Sequence, residues 1–336
     1  MNRITPLAVV CIGACSAIVG RLSAESIKDW LQDKSRVIGE TKGAQAKEVL
    51  RVVDQDGKPV KNARIYGSFW PGDNGRKYIL VDGLTNVDGE YVAEGASKWK
   101  LTYQVSKDGY YTSNGMVDYL ASTNVPAVVS GKWQPYGRRM SIVIKSVENP
   151  RLLLNGSGLK SFKIPIYGAW LGFDFERYQF VAPHGEGKNP DVLLRFTLNN
   201  PSRRDYHMKM DVSFTNMPYA GAYLMKKDEF SDFKNVYHAD TNANYRQTFA
   251  YSFDRYPQKR PIVCELGEDE YLVFRTRTKV DDKGRLLSAN YGVLYGSWSF
   301  VGPRGMNIPY LAFNPTPNDT NLEDIGTLNK MKRMRR

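Results

Sequence analysis

Asp174 and Glu176 are the two residues of this 336-residue chain whose types and spacing best fit acid–base chemistry. They stand two apart in Phe173-Asp174-Phe175-Glu176-Arg177-Tyr178-Gln179-Phe180, an alternation that predicts a β-strand. Residues i and i+2 of a strand share a face, which puts the two Cβ atoms roughly 7 Å apart. Carboxylates about 5–9.5 Å apart form the working pair of a glycoside hydrolase. Such pairs usually come from different strands, however, and polar alternation on a solvated strand face gives the same pattern without catalysis. The sequence therefore favours a chain without enzymatic activity. A glycan-acting hydrolase using Asp174 and Glu176 is the alternative.

Other reactive residues are sparse. His184, His207 and His238 are the only histidines, and none belongs to a His-x-x-Glu or His-Glu-x-x-His pair of zinc-ligand spacing. Cys264 is the one cysteine outside the first fifteen residues, so the body of the chain has no intramolecular disulfide to form. Flanked by Val263 and no activating histidine signature, it reads as a strand thiol. Asp54-x-Asp56-Gly57 opens like a calcium loop, but Lys58, Val60 and Ile65 fall where later oxygen ligands belong, so a turn explains it. His184-Gly-Glu-Gly187-Lys188 could offer backbone N–H groups to an anion, yet no strand–loop–helix phosphate context follows. No metal and no cofactor is expected.

Aromatic side chains are the remaining binding candidates. Trp70 and Trp133 lie in turn-rich segments, and Tyr219, Tyr223, Tyr237 and Tyr245 lie in the irregular 216–248 stretch. Exposed tryptophan and tyrosine faces complement the apolar faces of a pyranose. Trp70, Trp133 and Tyr223 are the candidates taken forward as ligand contacts.

The elements that must position these residues are mostly strands. Tyr (21) and Phe (14) are plentiful, Gly (29) and Pro (17) recur at short intervals, and long 3.6-period stretches are scarce, all of which argue for β structure. Between Val49 and Tyr110, short apolar alternations are separated by Asp56-Gly57, Asp88-Gly89 and Asp108-Gly109, where glycine can take the positive φ of a tight turn. Met140, Ile142 and Ile144 share one face of a last strand before Asn149-Pro150 breaks the pattern. Further on, 192–198, 208–214 and the run Tyr271 to Tyr295, turning at Asp281-Asp-Lys-Gly284, read as strands and a hairpin. The expected fold is mostly β in two domains: a β-sandwich at 47–148 and an antiparallel β domain, sandwich or jelly-roll-like, at 165–325.

The Asp-Gly pattern of 47–148 resembles the carboxypeptidase regulatory-like domain, a small transthyretin-like β-sandwich of secreted bacterial proteins. That family is defined by architecture, so the resemblance implies a scaffold and an exported setting, and no peptidase. The long insertions around Trp70 and before the last strand depart from its compact form. The stretch Asp174 to Lys188, the Phe274-Arg275-Thr276-Arg277 hairpin ending in Tyr291-Gly292, and the coda Asn314 to Glu323 together resemble an uncharacterised family of exported proteins of Verrucomicrobia-type bacteria. No chemistry is implied by it.

The termini bear on location. Arg3 and the apolar run Leu7 to Gly20 form a secretory leader, too short for a comfortable membrane span. Cleavage after Leu22-Ser23-Ala24 would give a signal peptide of 1–24. Ile12-Gly13-Ala14-Cys15 would instead leave a leader to 14 and a lipidated Cys15. Residues 25–46 read as a linker or short helix. Net charge is +12, and Lys330, Lys332, Arg333, Arg335 and Arg336 of the basic tail 326–336 supply five of those charges. No nucleic-acid-binding module accompanies them. The sequence thus predicts an exported cell-envelope binding or structural module, in the periplasm, on the outer membrane surface or extracellular. Its partner would be a glycan or an envelope protein, with membrane contact only through the leader or lipid anchor.

Overall fold

A computed structural model of the chain describes residues 34–71, 78–121, 123–124, 126–156, 161–199, 206–255, 262–264, 266–267, 269–296, 298–308 and 310–326. The leader with Cys15 and nearly all of the basic tail lie outside these residues. The chain is mostly β and divides into two compact units, Met1–Ser146 and Val147–Arg336.

In the first unit a short helix over 34–42 precedes nine strands. They are β1 (Ala44–Val53), β2 (Arg64–Phe69), β3 (Ile79–Leu84), β4 (Glu90–Ser97), β5 (Lys100–Ser106), β6 (Ser113–Asp118), β7 (Val128–Val129), β8 (Lys132–Trp133) and β9 (Arg138–Val143). One sheet runs β4-β1-β8-β7 with β9 also paired to β1, and the other runs β3-β2-β5-β6. Alternation along the strands buries Ala46, Leu50 and Val52 from one sheet against Ile65, Phe69, Leu101 and Val105 from the other. Two of the Asp-Gly turns are not hairpins within a sheet. The turn at 54–57 carries the chain from β1 into the sheet of β2, and that at 86–89 carries it back from β3 to β4. Asp54 Oδ1 accepts the N–H groups of Asp56 and Lys58, and Asn86 Oδ1 accepts those of Asp88 and Glu90. These side-chain-capped turns consume the Asp54 oxygen that a calcium loop would use. Gly89, at φ 74°, is fixed twice over: a Cβ there would stand 2.4 Å from the Val52 carbonyl oxygen.

The second unit holds β10 (Leu154–Gly156), β11 (Ser161–Lys163), β12 (Trp170–Asp174), β13 (Gln179–Phe180), β14 (Val192–Asn199), β15 (Tyr206–Ser213) and β16 (Gly221–Lys226). It continues with β17 (Thr248–Arg255), β18 (Ile262–Cys264), β19 (Glu270–Val280), β20 (Leu286–Tyr295), β21 (Ser299–Phe300), β22 (Gly305–Asn307) and β23 (Tyr310–Phe313). A six-stranded sheet, β13-β12-β14-β15-β17-β18, faces a five-stranded one, β10-β23-β20-β19-β16, and β11-β22-β21 form a third. Phe173, Phe196, Met208 and Met210 of the six-stranded sheet meet Leu272, Phe274, Leu294 and Phe313 of the five-stranded sheet in the main core. The opposite face of the five-stranded sheet carries Tyr271, Val273, Tyr291 and Val293, which pack with Ala239 and Leu322 from the irregular segments.

Candidate functional sites

Asp174 and Glu176 do not lie along one strand. β12 ends at Asp174, residues 175–178 turn, and the chain returns as β13, with Phe173 paired to Phe180. Asp174 itself causes the reversal: its Oδ1 accepts the N–H groups of Glu176 and Arg177 at 2.9 and 3.1 Å, an Asx-type turn that competes with the strand ladder. Its Oδ2 accepts the N–H groups of Lys188 and Asn189 at 2.8 and 3.0 Å. The glycine-rich loop therefore does cradle an anion, and the anion is Asp174. Gly187 permits the approach, since a Cβ there would stand 2.9 Å from the Asp174 Cβ.

Arg277 completes this node. Thr276 pairs with Asn290 and Lys279 with Ser288, so Arg277 and Thr278 of β19 stand opposite one residue of β20 in a β-bulge. Arg277 has φ 50°, in the left-handed region, and the bulge turns its guanidinium into the carboxylates. Its Nε and Nη2 donate to the two oxygens of Asp191 at 2.9 and 3.0 Å, and Nη2 donates to Asp174 at 3.1 Å. Nη1 donates to Glu176, and the guanidinium carbon stands 4.8 Å from the Phe313 ring centroid. Asp191 also accepts the Phe175 N–H and the Thr276 hydroxyl. Asp174 and Asp191 are fully buried, and Glu176 is exposed. Burial alone would raise the Asp174 carboxyl, but the N–H groups of Asn189, Lys188 and Arg177 and the Arg277 charge hold it below the ordinary range. Burial pushes the Asp191 carboxyl up against the pull of Arg277. Burial likewise works against the Arg277 charge, and hydrogen bonds and attraction from Asp191 and Glu176 more than restore it. The guanidinium fills the space among the three carboxylates. Among the described residues no group of three or more His, Cys, Asp or Glu is placed to hold a metal ion.

The aromatic candidates part company. Trp133 is 1% exposed rather than on the surface: it lies beneath Gly39 of the helix, stacks on Tyr119 at 5.6 Å and donates its indole N–H to the Ser97 carbonyl at 2.8 Å. Tyr223 is half-buried on the covered face of the five-stranded sheet, accepting the Asp240 N–H and meeting Tyr245 edge to face. Both are packing residues, because the segments that looked irregular in sequence fold back over them. Of the Cys264 side chain nothing is described.

Trp70 is part-buried at one end of a sheet face, and the strand register shows its company. The ladder pairs Phe69 with Ile79 and Leu101, and continues as the Trp70 N–H donates to the Lys100 carbonyl. Alternation then sends Tyr66 and Ser68 of β2, with Trp70 just beyond its end, to the outer face, beside Tyr78 just before β3, Leu80 and Asp82 from β3, Lys100, Thr102 and Gln104 from β5, and Asn114, Met116 and Asp118 from β6. Trp70 meets Tyr78 edge-on at 5.2 Å and Trp99 at 5.8 Å, with the Lys100 ammonium over both indoles. Tyr66 lies under the guanidinium of Arg64, which Asp82 holds through two hydrogen bonds. Tyr66, Tyr78, Leu80 and Met116 are 48, 49, 65 and 53% exposed. The indole N–H groups of Trp70 and Trp99 are buried and have no hydrogen-bond partner among the described residues. The alternating pattern of each strand was visible in the sequence; the register that assembles four strands into this surface was not.

No family model matches the chain, and no curated protein matches it. Solved structures with some likeness include 3-chlorocatechol 1,2-dioxygenase from Rhodococcus opacus, at 13% identity and a TM-score of 0.24, over 31% of this chain and 60% of that one. The shaft pilin SpaA of Lactobacillus rhamnosus aligns at 10% identity and a TM-score of 0.22, over 83% of this chain and 95% of the pilin. BcpA, the major pilin subunit of Bacillus cereus, aligns at 10% identity and 0.21, over 83% and 100%. The alignment thus spans about three fifths of the dioxygenase. At these TM-scores the likenesses assign no activity.

Proposed function

We propose that this chain is an exported, non-catalytic binding module of the bacterial cell envelope, built on a carboxypeptidase regulatory-like scaffold and directed at a glycan or protein of its surroundings. The observation that carries the non-catalytic part is the commitment of the carboxylates. A general acid must give up a proton, and a nucleophile must reach a substrate. Asp174 receives five donors and Asp191 four, all from the protein itself, with both side chains fully buried. The apolar run Leu7 to Gly20 supports export, and the exposed aromatic face of β2 to β6 supports binding. No helix among the described residues is long and apolar enough to cross a membrane. The test is co-sedimentation of the full chain with isolated bacterial envelopes, with released reducing sugar measured in parallel. Retention without turnover is expected. Sugar release that is lost in Glu176→Gln would overturn it.

A further inference from the structure

Building on that binding role, we propose that the outer face of the β3-β2-β5-β6 sheet takes a neutral, extended glycan chain laid along β2 over Tyr66 and Trp70. Three features select this occupant. The first is charge. Arg64 and Lys100 are balanced on the face by Asp82 and Asp118, in a chain whose net charge is +12. A surface made for acidic polysaccharide, nucleic acid or anionic lipid would gather the cations and exclude the carboxylates.

The second is the order of groups. A protein-docking patch places apolar residues at its centre and polar ones at its rim. Here Ser68 and Thr102 sit paired in the middle, with Leu80 and Met116 at the two edge strands. Gln104 donates to Asn114 at 3.0 Å, so these amides are held in place on the surface. Hydroxyls and amides between aromatic rings suit a ligand with apolar ring faces and a fringe of hydroxyl groups. The third is shape. Small ligands are held in concave sites. Tyr66 and Trp70 are instead four residues apart on one open strand, about 13 Å at the usual strand rise. That spacing engages separate rings of one polymer.

The test is affinity electrophoresis of the full chain in gels containing soluble β-glucan, xyloglucan or galactomannan, with polygalacturonate as the acidic counterpart. Retardation by at least one neutral polysaccharide is expected, with affinity falling about tenfold in Tyr66→Ala and in Trp70→Ala. Ser68→Arg, which removes no core side chain and sets a long cation in the middle of the face, is expected to abolish it. Retardation by polygalacturonate alone would overturn the proposal, as would neutral binding unchanged in all three variants. Dimerisation that the Ser68→Arg variant loses would assign the face to a second copy instead. Co-sedimentation with envelopes but no retardation by any neutral polysaccharide would overturn the glycan and leave the binding role standing.

Discussion

The Arg277 node and the outer face of β2 to β6 are built from similar materials, aromatic rings with cations and carboxylates close by, under opposite constraints. At Arg277 three carboxylates and one guanidinium are drawn together, two of the carboxylates with no exposed surface, and their oxygens accept hydrogen bonds from their own loops. On the sheet face Arg64 and Asp82 are paired at the surface, and the rings of Tyr66 and Tyr78 are about half-exposed. Satisfied polar groups in a dry site fix structure, while exposed aromatic rings beside paired surface ions leave area open to a partner. In this chain, the carboxylates that most resemble chemistry are engaged by Arg277 and their own loops, and the plainer face is the one proposed for a ligand.

Removing the centre of the node is expected to have the largest effect. Arg277→Met leaves Asp174 and Asp191 buried without their cation, which costs roughly 3–5 kcal/mol. Urea unfolding should show a correspondingly lower midpoint. Arg277→Lys should recover little, because one ammonium cannot reproduce the two-pronged contact with Asp191. A variant as stable as the parent would make the node incidental.

Next in size is the turn that returns the chain from β3 to β4. Gly89→Ala meets both a positive φ and the Val52 carbonyl, and should lower stability by more than about 1 kcal/mol. Thermal unfolding would measure it, and a neutral result would mean that the turn has room to relax. A comparable loss is expected in Trp133→Phe, which strands the buried Ser97 carbonyl at about 1–3 kcal/mol. Polysaccharide binding at saturating protein stability should not change in that variant. Weakened binding would return Trp133 to the ligand surface.

The smallest effect is a pH dependence. The Asp174 carboxyl is held below its ordinary value in the folded chain. A group so depressed contributes stability that is complete above its unfolded pKa, about 3.9, and is lost as the pH falls through its folded value. The gap in thermal midpoint between the parent and Asp174→Asn should therefore be widest above about pH 5 and narrow below about pH 4. A gap constant across that range would contradict an ionised Asp174 in the node.

Sequence legibility followed the range of the interactions. Turns are made by a few contiguous residues, so Asp54 to Gly57 and Asp281 to Gly284 were readable, as was the β19–β20 hairpin that the second of them closes. The reversal after Asp174 was misread as a strand, because its phenylalanines alternate while its carboxylate quietly caps a turn. The bulge at Arg277 left no local mark, since nothing in Thr276-Arg277-Thr278 announces a left-handed arginine. Trp133 looked like a loop residue because the helix and the strand that cover it are distant in sequence. The sheet face is the most non-local feature of all. Its four strands each show alternation, but only their pairing brings Tyr66, Trp70 and Tyr78 onto one surface.

The most direct test of this division between a structural node and a binding face is methyl NMR of Leu-, Met- and Thr-labelled protein titrated with a retained neutral polysaccharide. Leu80, Leu84, Thr102 and Met116 lie on the outer face, whereas Leu171, Leu194, Met210 and Leu311 are buried in the core of the second unit. The first group is predicted to shift while the second stays still. Shifts confined to the second group would contradict the account.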